Sequence, residues 1–385
     1  MSAHSSFGPL PPAVVIAGGG TGGHVFPGIA IAEALRRRWP GARVLFIGTD
    51  RPLEVAALAR AGFDHRVLRV EGLKRRGWRR QIWALMRLPA GLAAAAGMLW
   101  RFRPNAVIGV GGYAAGPVVL AAWLMGIPVA LCEQNIVAGV SNRIAARFAR
   151  RIYVSFDGTD FGRHAAKVRL TGNPVRASIV EAARRRCQRP ADPRLHVLVL
   201  GGSQGAHQLN TGVVEALDFL DDPSAWRFVH QTGPADEETV KAAYRRRGIE
   251  AEAAAFFEDP GACYAEADLA VCRAGATTVA ELAATGVPAV FVPFPFAADD
   301  HQARNVQALV EGGAALVVAE KDLTGQGLAE RLNRWKADRA ELEAMAAAMA
   351  GFGRPEAADE ILDDVLALLG MNAVPELVND QNESN

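Results

Sequence analysis

Short apolar runs alternate along this chain with segments whose apolar positions recur every three or four residues. The apolar runs at Val14–Ile16, Arg43–Ile47 and Ala106–Val110 predict buried strands, and the periodic segments between them predict helices. Parallel strands that helices cover on both faces have continuous apolar runs of this kind. The pattern therefore predicts an α/β fold built on parallel sheets.

The same pattern begins a second time in the middle of the chain. A strand at His196–Leu200, a glycine loop at 201–205 and a helix at Asn210–Leu217 repeat the order of the opening segment. The X-Pro step within residues 171–176 is typical of a linker, and Ala253–Phe257 is predicted as a later strand. The sequence therefore predicts two similar halves of nucleotide-binding type.

Length and composition narrow the class of protein further. At 385 residues the chain is long enough for two domains, and half of its residues are hydrophobic. The 42 basic and 41 acidic residues nearly cancel, which argues against a general nucleic-acid-binding protein. The four cysteines form no C-x-x-C pair and are typical of reduced thiols in the cytosol. Residues 1–12 lack the features of a signal peptide and are predicted to be flexible, and residues 371–385 are predicted to be a disordered tail.

Residues 104–132 contain no charged side chain, which by length alone would allow a membrane-spanning helix. Glycines and prolines interrupt this window, so a buried strand, a glycine turn ending at Tyr113, a helix and a second strand fit better. Glu133, Gln134 and Asn135 follow that second strand, where open α/β sheets bind ligands. The alternative for these three residues is a capping turn before the next helix.

Five glycines within residues 18–23 separate the first strand from its helix, and His24 follows them. Glycine lets a ligand approach the backbone closely, and the N–H groups of the next helix attract phosphate. His24 is the one ionisable side chain of this stretch and is a candidate for acid–base catalysis. The same loop satisfies the dinucleotide pattern G-x-G-x-x-G, with Asp50 at the expected distance, so it does not select the ligand alone.

A second group of candidate site residues follows Cys272. Residues 274–278 are small and begin a predicted helix, so a ligand can reach the amide groups there. Glu281 on that helix can accept two hydrogen bonds from a ribose diol, and its alternative is a solvated helix face. Asp299 and Asp300 are either site residues or helix caps. No D-x-D sequence occurs in the chain, so no metal site is expected.

Residues 73–83 combine cationic side chains with tryptophan and aliphatic residues. Such a segment suits a surface of anionic lipid, where each cation contributes about 1 kcal/mol. The alternative is a solvated basic loop before a core helix. The predicted membrane patch consists of Leu73, Arg75, Arg76, Trp78, Arg79, Arg80 and Trp83.

Seven motifs occur in order over most of the chain: GGGTGGHVFPG, GVGGYAAGP, EQN, GNPVR, GGSQGAHQLN, CRAGATTVAEL and VPFPFAADDHQARN. Together they closely resemble the MurG family, the glycosyltransferases that convert lipid I to lipid II in bacterial peptidoglycan synthesis. The resemblance covers residues 11–370 and implies the B-type glycosyltransferase fold, in which two Rossmann-like domains face each other across a cleft. It implies an acceptor and membrane domain at 13–172, a UDP-GlcNAc-binding domain at 173–350, and a last helix at 351–370 that returns to the first domain.

The resemblance implies an inverting transfer of GlcNAc from UDP-GlcNAc to the 4-hydroxyl of undecaprenyl-pyrophosphoryl-MurNAc-pentapeptide (lipid I). It implies a peripheral enzyme on the cytoplasmic face of the inner membrane, with partners among the proteins of cell-wall synthesis and cell division. No cofactor, metal or nucleic acid is expected. The alternatives are a UDP-GlcNAc 2-epimerase or glycolipid glycosyltransferase on the same fold, and a non-catalytic nucleotide-sugar-binding or dinucleotide-binding protein.

Candidate roles follow for individual residues. His24 is the first choice for the general base and Glu133 the second, and acceptor positioning is the alternative for His24. The resemblance implies UDP-GlcNAc contacts at Thr21, Gly22, Gly23, Asn135, Arg176, Ser203, Phe257, Ala276, Thr277, Thr278, Val279, Ala280, Glu281 and Gln302. Some family members have two adjacent glutamines where this chain has His301 and Gln302, so the role of His301 stays open. Tyr113 and Gln134 are further candidates.

Overall fold

The computed structural model describes residues 11–69, 78–202 and 205–371, with the backbone alone for residues 78–88 and 298. The predictions for Ser203 and for Leu73, Arg75 and Arg76 lie outside the described residues. The same holds for almost all of the predicted flexible N-terminus and tail. The remaining members of the membrane patch belong to a helix whose side chains there are not described.

The first domain is a parallel sheet with helices on both faces. Its strands are β1 (Ala13–Gly18), β2 (Arg43–Gly48), β3 (Asp64–Val67), β4 (Ala106–Gly111), β5 (Val129–Glu133), β6 (Arg151–Val154) and β7 (Val168–Leu170), in the order β3-β2-β1-β4-β5-β6-β7. Its helices are α1 (Gly22–Arg38), α2 (Pro52–Arg60), α3 (Trp78–Phe102), α4 (Ala115–Leu124) and α5 (Val140–Ala145), with a 3₁₀ turn at Gly162–Lys167.

The second domain repeats this architecture. Helix α6 (Ala177–Cys187) precedes its strands β8 (Leu195–Leu200), β9 (Trp226–Gln231), β10 (Glu250–Ala254), β11 (Leu269–Cys272), β12 (Ala289–Phe291) and β13 (Ala315–Val317), in the order β10-β9-β8-β11-β12-β13. Its other helices are α7 (His207–Ala216), α8 (Glu237–Arg247), α9 (Pro260–Glu266), α10 (Ala276–Thr285), α11 (His301–Glu311), α12 (Gly325–Ala337) and α13 (Arg339–Gly351), and the chain ends in α14 (Ala357–Leu368).

The central strands carry the apolar runs that the sequence singled out. Every residue of β1 and of β4 is buried, because helices cover both faces of the sheet. Val15 of β1 lies opposite Leu45 on one side and Val107 on the other, and every strand pair in both sheets is parallel. The predicted α/β fold with two parallel-sheet domains is confirmed.

The uncharged window at residues 104–132 folds as β4, a glycine turn, α4 and β5, as predicted. Gly111 and Gly112 in the turn have φ angles of 93° and 84°, which side chains with a Cβ rarely adopt. Among the helices that the structure describes, none combines the length and the apolar character needed to cross a bilayer.

The chain crosses between the domains twice. It leaves the first domain through the linker at 171–176, and α14 brings it back. Ile361, Leu362 and Val365 on α14 are buried in the same core cluster as the apolar face of α1. Asp364 accepts hydrogen bonds from the Tyr153 hydroxyl at 2.8 Å and from Arg151 Nε at 2.9 Å. The last helix is therefore part of the first domain's packing.

The strand predicted at Ala253–Phe257 lies three residues earlier, as β10 at Glu250–Ala254. β10 is an edge strand that pairs with β9 alone, so it does not need a continuous apolar sequence. Phe257 consequently falls beyond the strand end, where it lines the cleft between the domains.

Candidate active site

One cleft of about 750 Å³ separates the two domains, and both glycine loops open into it. Its volume lies within the range of roughly 300–1,000 Å³ that is usual for small-molecule sites. It lies beyond the carboxyl ends of β1 and β8, where open α/β sheets bind ligands. The predicted site residues that line this cleft are Thr21, Gly22, Gly23, Arg176, Phe257, Ala276, Thr277, Thr278, Glu281 and Gln302.

The start of α10 forms one wall of the cleft. Gly275 precedes the helix without a side-chain cap, and Ala276, Thr277 and Thr278 form the first turn. The first N–H groups of a helix have no partner within it and carry partial positive charge. This turn therefore provides donors for a phosphate, and the Thr277 hydroxyl also donates to Gly23 O across the cleft at 3.4 Å.

Glu281 is 5% exposed, and both of its carboxylate oxygens have partners. Arg176 Nη2 donates to Oε1 at 2.7 Å, and the Tyr264 hydroxyl donates to Oε2 at 2.9 Å. Burial and the neighbouring Glu281 carboxylate raise the pKa of Tyr264, so its hydroxyl stays a donor. Each carboxylate oxygen has a further lone pair, so Glu281 can still accept from a ligand. Tyr264 had no distinguishing sequence signal.

Arg176 connects the two walls of the cleft. Its guanidinium lies 4.2 Å from the ring centroid of Phe26, on α1 of the first domain, while it pairs with Glu281 of the second. The side chain is 14% exposed, and such a desolvated cation–π contact contributes about 2 kcal/mol. A cation held in this position faces any anionic group that enters the cleft.

His24 follows the first glycine loop, and its ring packs against the backbone of Gly111, in the glycine turn between β4 and α4. A Cβ on Gly111 would lie 3.0 Å from the His24 ring, so a glycine is required there. His24 Nδ1 lies 3.1 Å from Gln134 Oε1, while Gln134 Nε2 donates to Cys132 O at 3.3 Å. Because the Gln134 amide is oriented by Cys132, Nδ1 carries the proton and Nε2 is the basic nitrogen.

Glu133 was the second choice for the general base, and the structure argues against it. The residue is 3% exposed, and its Oε1 accepts from Asn135 N at 3.1 Å. Its Oε2 accepts from Gly139 N and from Asn142 Nδ2, both at 2.9 Å. The carboxylate therefore holds the turn that leads into α5, and a base must have a free lone pair facing the substrate.

Asn135 lies where the two domains touch rather than in the wall of the cleft. Asn305 on α11, 1% exposed, donates to Asn135 Oδ1 at 3.2 Å and accepts from Ile136 N at 3.0 Å. Asn305 Nδ2 also lies 3.4 Å from Ala274 O. This amide therefore ties the loop after β5 to the loop before α10.

Glu54 is a buried residue that the sequence analysis did not select. Its Oε2 accepts from Gly20 N at 2.8 Å and from the Thr49 hydroxyl at 2.6 Å, and its Oε1 accepts from Thr49 N at 2.9 Å. A Cβ at Gly19 would lie 2.4 Å from the carboxylate, so a glycine there makes room for it. Glu54 is therefore a positioning residue for the first glycine loop.

The pKa of Glu54 reflects this environment. Burial alone would raise the pKa, but contacts from His65, Thr49 and the Gly20 N–H lower it below its ordinary value of 4.5. His65 Nε2 lies 3.5 Å from Oε1, a longer contact than the others. The side chain is therefore a carboxylate at neutral pH.

The remaining predicted residues have various surroundings. Gln302 Oε1 accepts from Phe294 N at 2.9 Å, and His301 precedes it at the start of α11. Tyr113, in the glycine turn between β4 and α4, is 47% exposed and does not line the cleft. Val279 and Ala280 on α10 line a different cavity.

Arg273 is a further cleft residue that the sequence analysis missed. It lies just after β11, forms an ion pair with Glu320, and donates to Val292 O at 3.1 Å. Both members of this ion pair line the cleft. Within the described part of the chain, no cluster of three or more His, Cys, Asp or Glu side chains could hold a metal ion.

Two parallel α/β domains with a nucleotide-sized cleft at their carboxyl edges form the architecture known as the B-type glycosyltransferase fold. Residues 14–154 match the glycosyltransferase family 28 N-terminal domain, and residues 196–361 match its C-terminal domain. The chain belongs to the MurG family of UDP-N-acetylglucosamine–N-acetylmuramyl-(pentapeptide) pyrophosphoryl-undecaprenol N-acetylglucosamine transferases.

This membership rests on whole-chain similarity. A Syntrophus aciditrophicus enzyme of that name is 45% identical over 92% of this chain and 98% of its own length. A Myxococcus xanthus enzyme of the same name is 44% identical over 92% of this chain and 93% of its own. The crystal structure of Acinetobacter baumannii MurG superposes with a TM-score of 0.73 at 32% identity, covering 93% of this chain and all of that one.

Other enzymes share the fold without sharing the sequence. A UDP-GlcNAc 2-epimerase from Neisseria meningitidis superposes with a TM-score of 0.65 over 92% of this chain and 99% of its own, at 13% identity. A likeness at this identity shows the fold alone. It therefore gives no support to the epimerase alternative.

Proposed function

We propose that this protein transfers GlcNAc from UDP-GlcNAc to the 4-hydroxyl of undecaprenyl-pyrophosphoryl-MurNAc-pentapeptide, with inversion, to give lipid II for peptidoglycan. The observation that carries the proposal is the cleft into which the loop before His24 and the start of α10 both open. The names of the relatives supply the donor and the acceptor.

The donor binds mainly to the second domain. Phe257 lies beside the uracil ring of the donor, the Glu281 carboxylate accepts hydrogen bonds from the ribose diol, and the first turn of α10 binds the diphosphate. Arg176 already lies 2.7 Å from Glu281. Arg176 also lines the cleft, where its guanidinium stabilises the new negative charge of the departing diphosphate. Neither residue needs a metal ion for this role.

The acceptor hydroxyl enters from the first domain. It attacks the anomeric carbon of GlcNAc, the bond from that carbon to the diphosphate breaks, and UDP leaves with the electron pair. The hydroxyl proton passes to His24 Nε2, since Gln134 accepts from the protonated Nδ1. A base of this kind contributes typically about 10²–10⁴ in rate. Electrostatic stabilisation of the leaving group by Arg176 and α10 supplies a further part of the rate enhancement.

A lipid-borne acceptor requires contact with the cytoplasmic face of the inner membrane, so we propose a peripheral enzyme. An exposed apolar surface at the end of α4 and just after α5 supports this proposal. Trp123 and Leu124 are 50% and 61% exposed, and the centroids of the Trp123 and Phe148 rings lie 5.0 Å apart. The Arg147 guanidinium lies 4.6 Å from the centroid of the Phe148 ring. Aromatic and basic side chains together suit an anionic bilayer surface. The patch predicted from Leu73 to Trp83 stays a prediction.

The test is transfer of radiolabelled GlcNAc from UDP-GlcNAc to a short-chain lipid I analogue, with separation of the lipid product. Wild-type protein is expected to label the lipid, and His24→Ala should lose most of that activity while it still binds UDP. His164→Ala is the matched control, because His164 lies in the 3₁₀ turn at Gly162–Lys167, is only partly buried and does not line the cleft. Conversion of UDP-GlcNAc to its 2-epimer without lipid labelling would contradict the proposal.

A further inference from the structure

A second cavity of about 230 Å³ lies behind α10, on the side of that helix away from the cleft. Residues 276–278 and Glu281 face the cleft, whereas Val279, Ala280 and Ala283 line this second cavity. One helix is therefore shared by two cavities. The proposed transfer reaction uses only the first of them.

The walls of the second cavity come from both domains and from both chain crossings. Leu170 and Ser155 belong to the first domain, and Leu309 belongs to α11 of the second. Asn173 lies in the outward linker, and Arg354 lies in the turn that leads back to α14. A rotation of one domain against the other must therefore change the shape of this cavity.

Two polar side chains in these walls lack partners. Asn173 is 3% exposed, and neither its Nδ2 nor its Oδ1 has a hydrogen-bond partner, an arrangement that usually costs stability. Arg354 is exposed, and its guanidinium forms no ion pair or hydrogen bond with the residues that the structure describes. A Cβ on Gly172 would lie 2.6 Å from Arg354 Cβ, so the arginine stem packs against the linker beside Asn173.

The volume and the lining define the class of molecule that fits. An apolar cavity of about 150 Å³ holds one benzene ring, so 230 Å³ holds a ring with a short side chain. Leu170, Val279 and Leu309 offer an apolar surface for the ring, while the Arg354 guanidinium offers a cation to a carboxylate. Asp157 also lines the cavity, with Oδ1 accepting from Gly158 N at 2.9 Å, so one negative charge fits better than two.

We propose that this cavity binds a small amphipathic monocarboxylate, aryl or short alkyl, and that its occupant alters nucleotide binding through α10. The apolar part lies against α10 and α11, and the carboxylate pairs with Arg354 beside Asn173. Because the occupant contacts both domains, it favours one angle between them. A ligand that favours one angle changes the affinity of the cleft, and the nucleotide changes the affinity of the cavity by the same factor.

The probe is 3-phenylpropanoate, titrated calorimetrically into the full chain without donor or acceptor, with 3-phenylpropanol as the neutral control. We expect saturable binding of the acid, weaker binding of the alcohol, and a change of at least about twofold in the dissociation constant of UDP when the acid is present. Binding of the acid is measured without transfer and does not depend on the proposed function, whereas the change in UDP affinity rests on the proposed binding of UDP in the cleft.

Two variants locate the binding. Ala308→Leu fills the cavity from an exposed position on α11 and should reduce the binding affinity for 3-phenylpropanoate by about tenfold or more. Arg354→Gln removes the cation and should reduce the binding affinity for 3-phenylpropanoate by about fivefold or more, with little effect on the affinity for 3-phenylpropanol. Both variants should bind UDP as wild type does, which verifies their folding. Absence of saturable binding up to about 10 mM, unchanged affinity in both variants, or simple displacement of the acid by UDP would overturn the proposal.

Discussion

Glu54→Gln measures how far the candidate site depends on one buried carboxylate. Glutamine has the same shape, but an NH₂ group replaces one of the two acceptor oxygens. In wild type, Oε2 accepts from Gly20 N and from the Thr49 hydroxyl, and Oε1 accepts from Thr49 N. Whichever way the new amide is oriented, its NH₂ group faces a backbone N–H group, at a side chain that is 2% exposed in wild type.

The expected magnitude follows from these contacts. An unpaired buried donor costs about 1–3 kcal/mol, and hydrogen bonds to a carboxylate belong to the upper part of that range. For a domain of about 150–250 residues, each 1 kcal/mol lowers the melting temperature by about 2–4 °C, so we expect a decrease of about 4–12 °C. The loop also leads through Thr21 into the first turn of α1, which carries His24, and a displacement of about 1 Å can reduce transfer by about 100-fold.

The assay combines thermal unfolding with transfer kinetics on the lipid I analogue. Glu238→Gln is the control, because the Glu238 side chain is 81% exposed and its loss should change stability by less than about 0.5 kcal/mol. A Glu54→Gln protein with the wild-type melting temperature and the wild-type kcat/KM would refute the reasoning.

The pH dependence provides a second measurement on the same pair of proteins. The pKa of Glu54 is lower in the folded protein than its ordinary value of 4.5. A carboxyl group of this kind stabilises the fold above its unfolded-state pKa and loses that contribution as the pH falls through its folded-state pKa. The stability difference between wild type and Glu54→Gln should therefore shrink below about pH 4.5, and a difference that grew on acidification would contradict the assignment.

Four further expectations concern the cleft and the membrane surface. His24→Ala should reduce turnover by about 10²–10⁴ with UDP binding retained, and near-normal turnover in the radiolabel assay would reject the base role. Glu281→Ala should weaken UDP by about 1–3 kcal/mol in calorimetry, and unchanged affinity would remove Glu281 from the ribose. Transfer in EDTA should stay within about twofold of its value with magnesium, since helix N–H groups and Arg176 bind the diphosphate, and abolished transfer would require a metal. Trp123→Ser combined with Arg147→Gln should weaken sedimentation with anionic vesicles several-fold, with the same variant on neutral vesicles as the control. If the variant and the wild type bound anionic vesicles equally well, this surface would be excluded as the membrane contact.

The sequence by itself determined the elements of the two domains and the chemistry of their loops. Apolar runs and helical periodicity are local properties, so the strands before both glycine loops and the helix after the second loop could be predicted within a few residues. The glycine loops, His24 and Glu281 were found because their residue types are chemically informative in a short span. The order of seven motifs then identified the family. The glycine pattern alone had left the ligand undecided between a dinucleotide and a nucleotide sugar.

The tertiary structure alone decided which polar groups meet. Glu54 and Gly20 are separated by 34 residues, and Asn305 and Asn135 by 170, so no periodicity could bring them together. Glu133 was a reasonable base by position, but its partners at Gly139 and Asn142 became visible only in the folded turn. Whether a carboxylate is free or fully hydrogen-bonded depends on the neighbours that packing supplies, and burial makes that difference worth several kcal/mol.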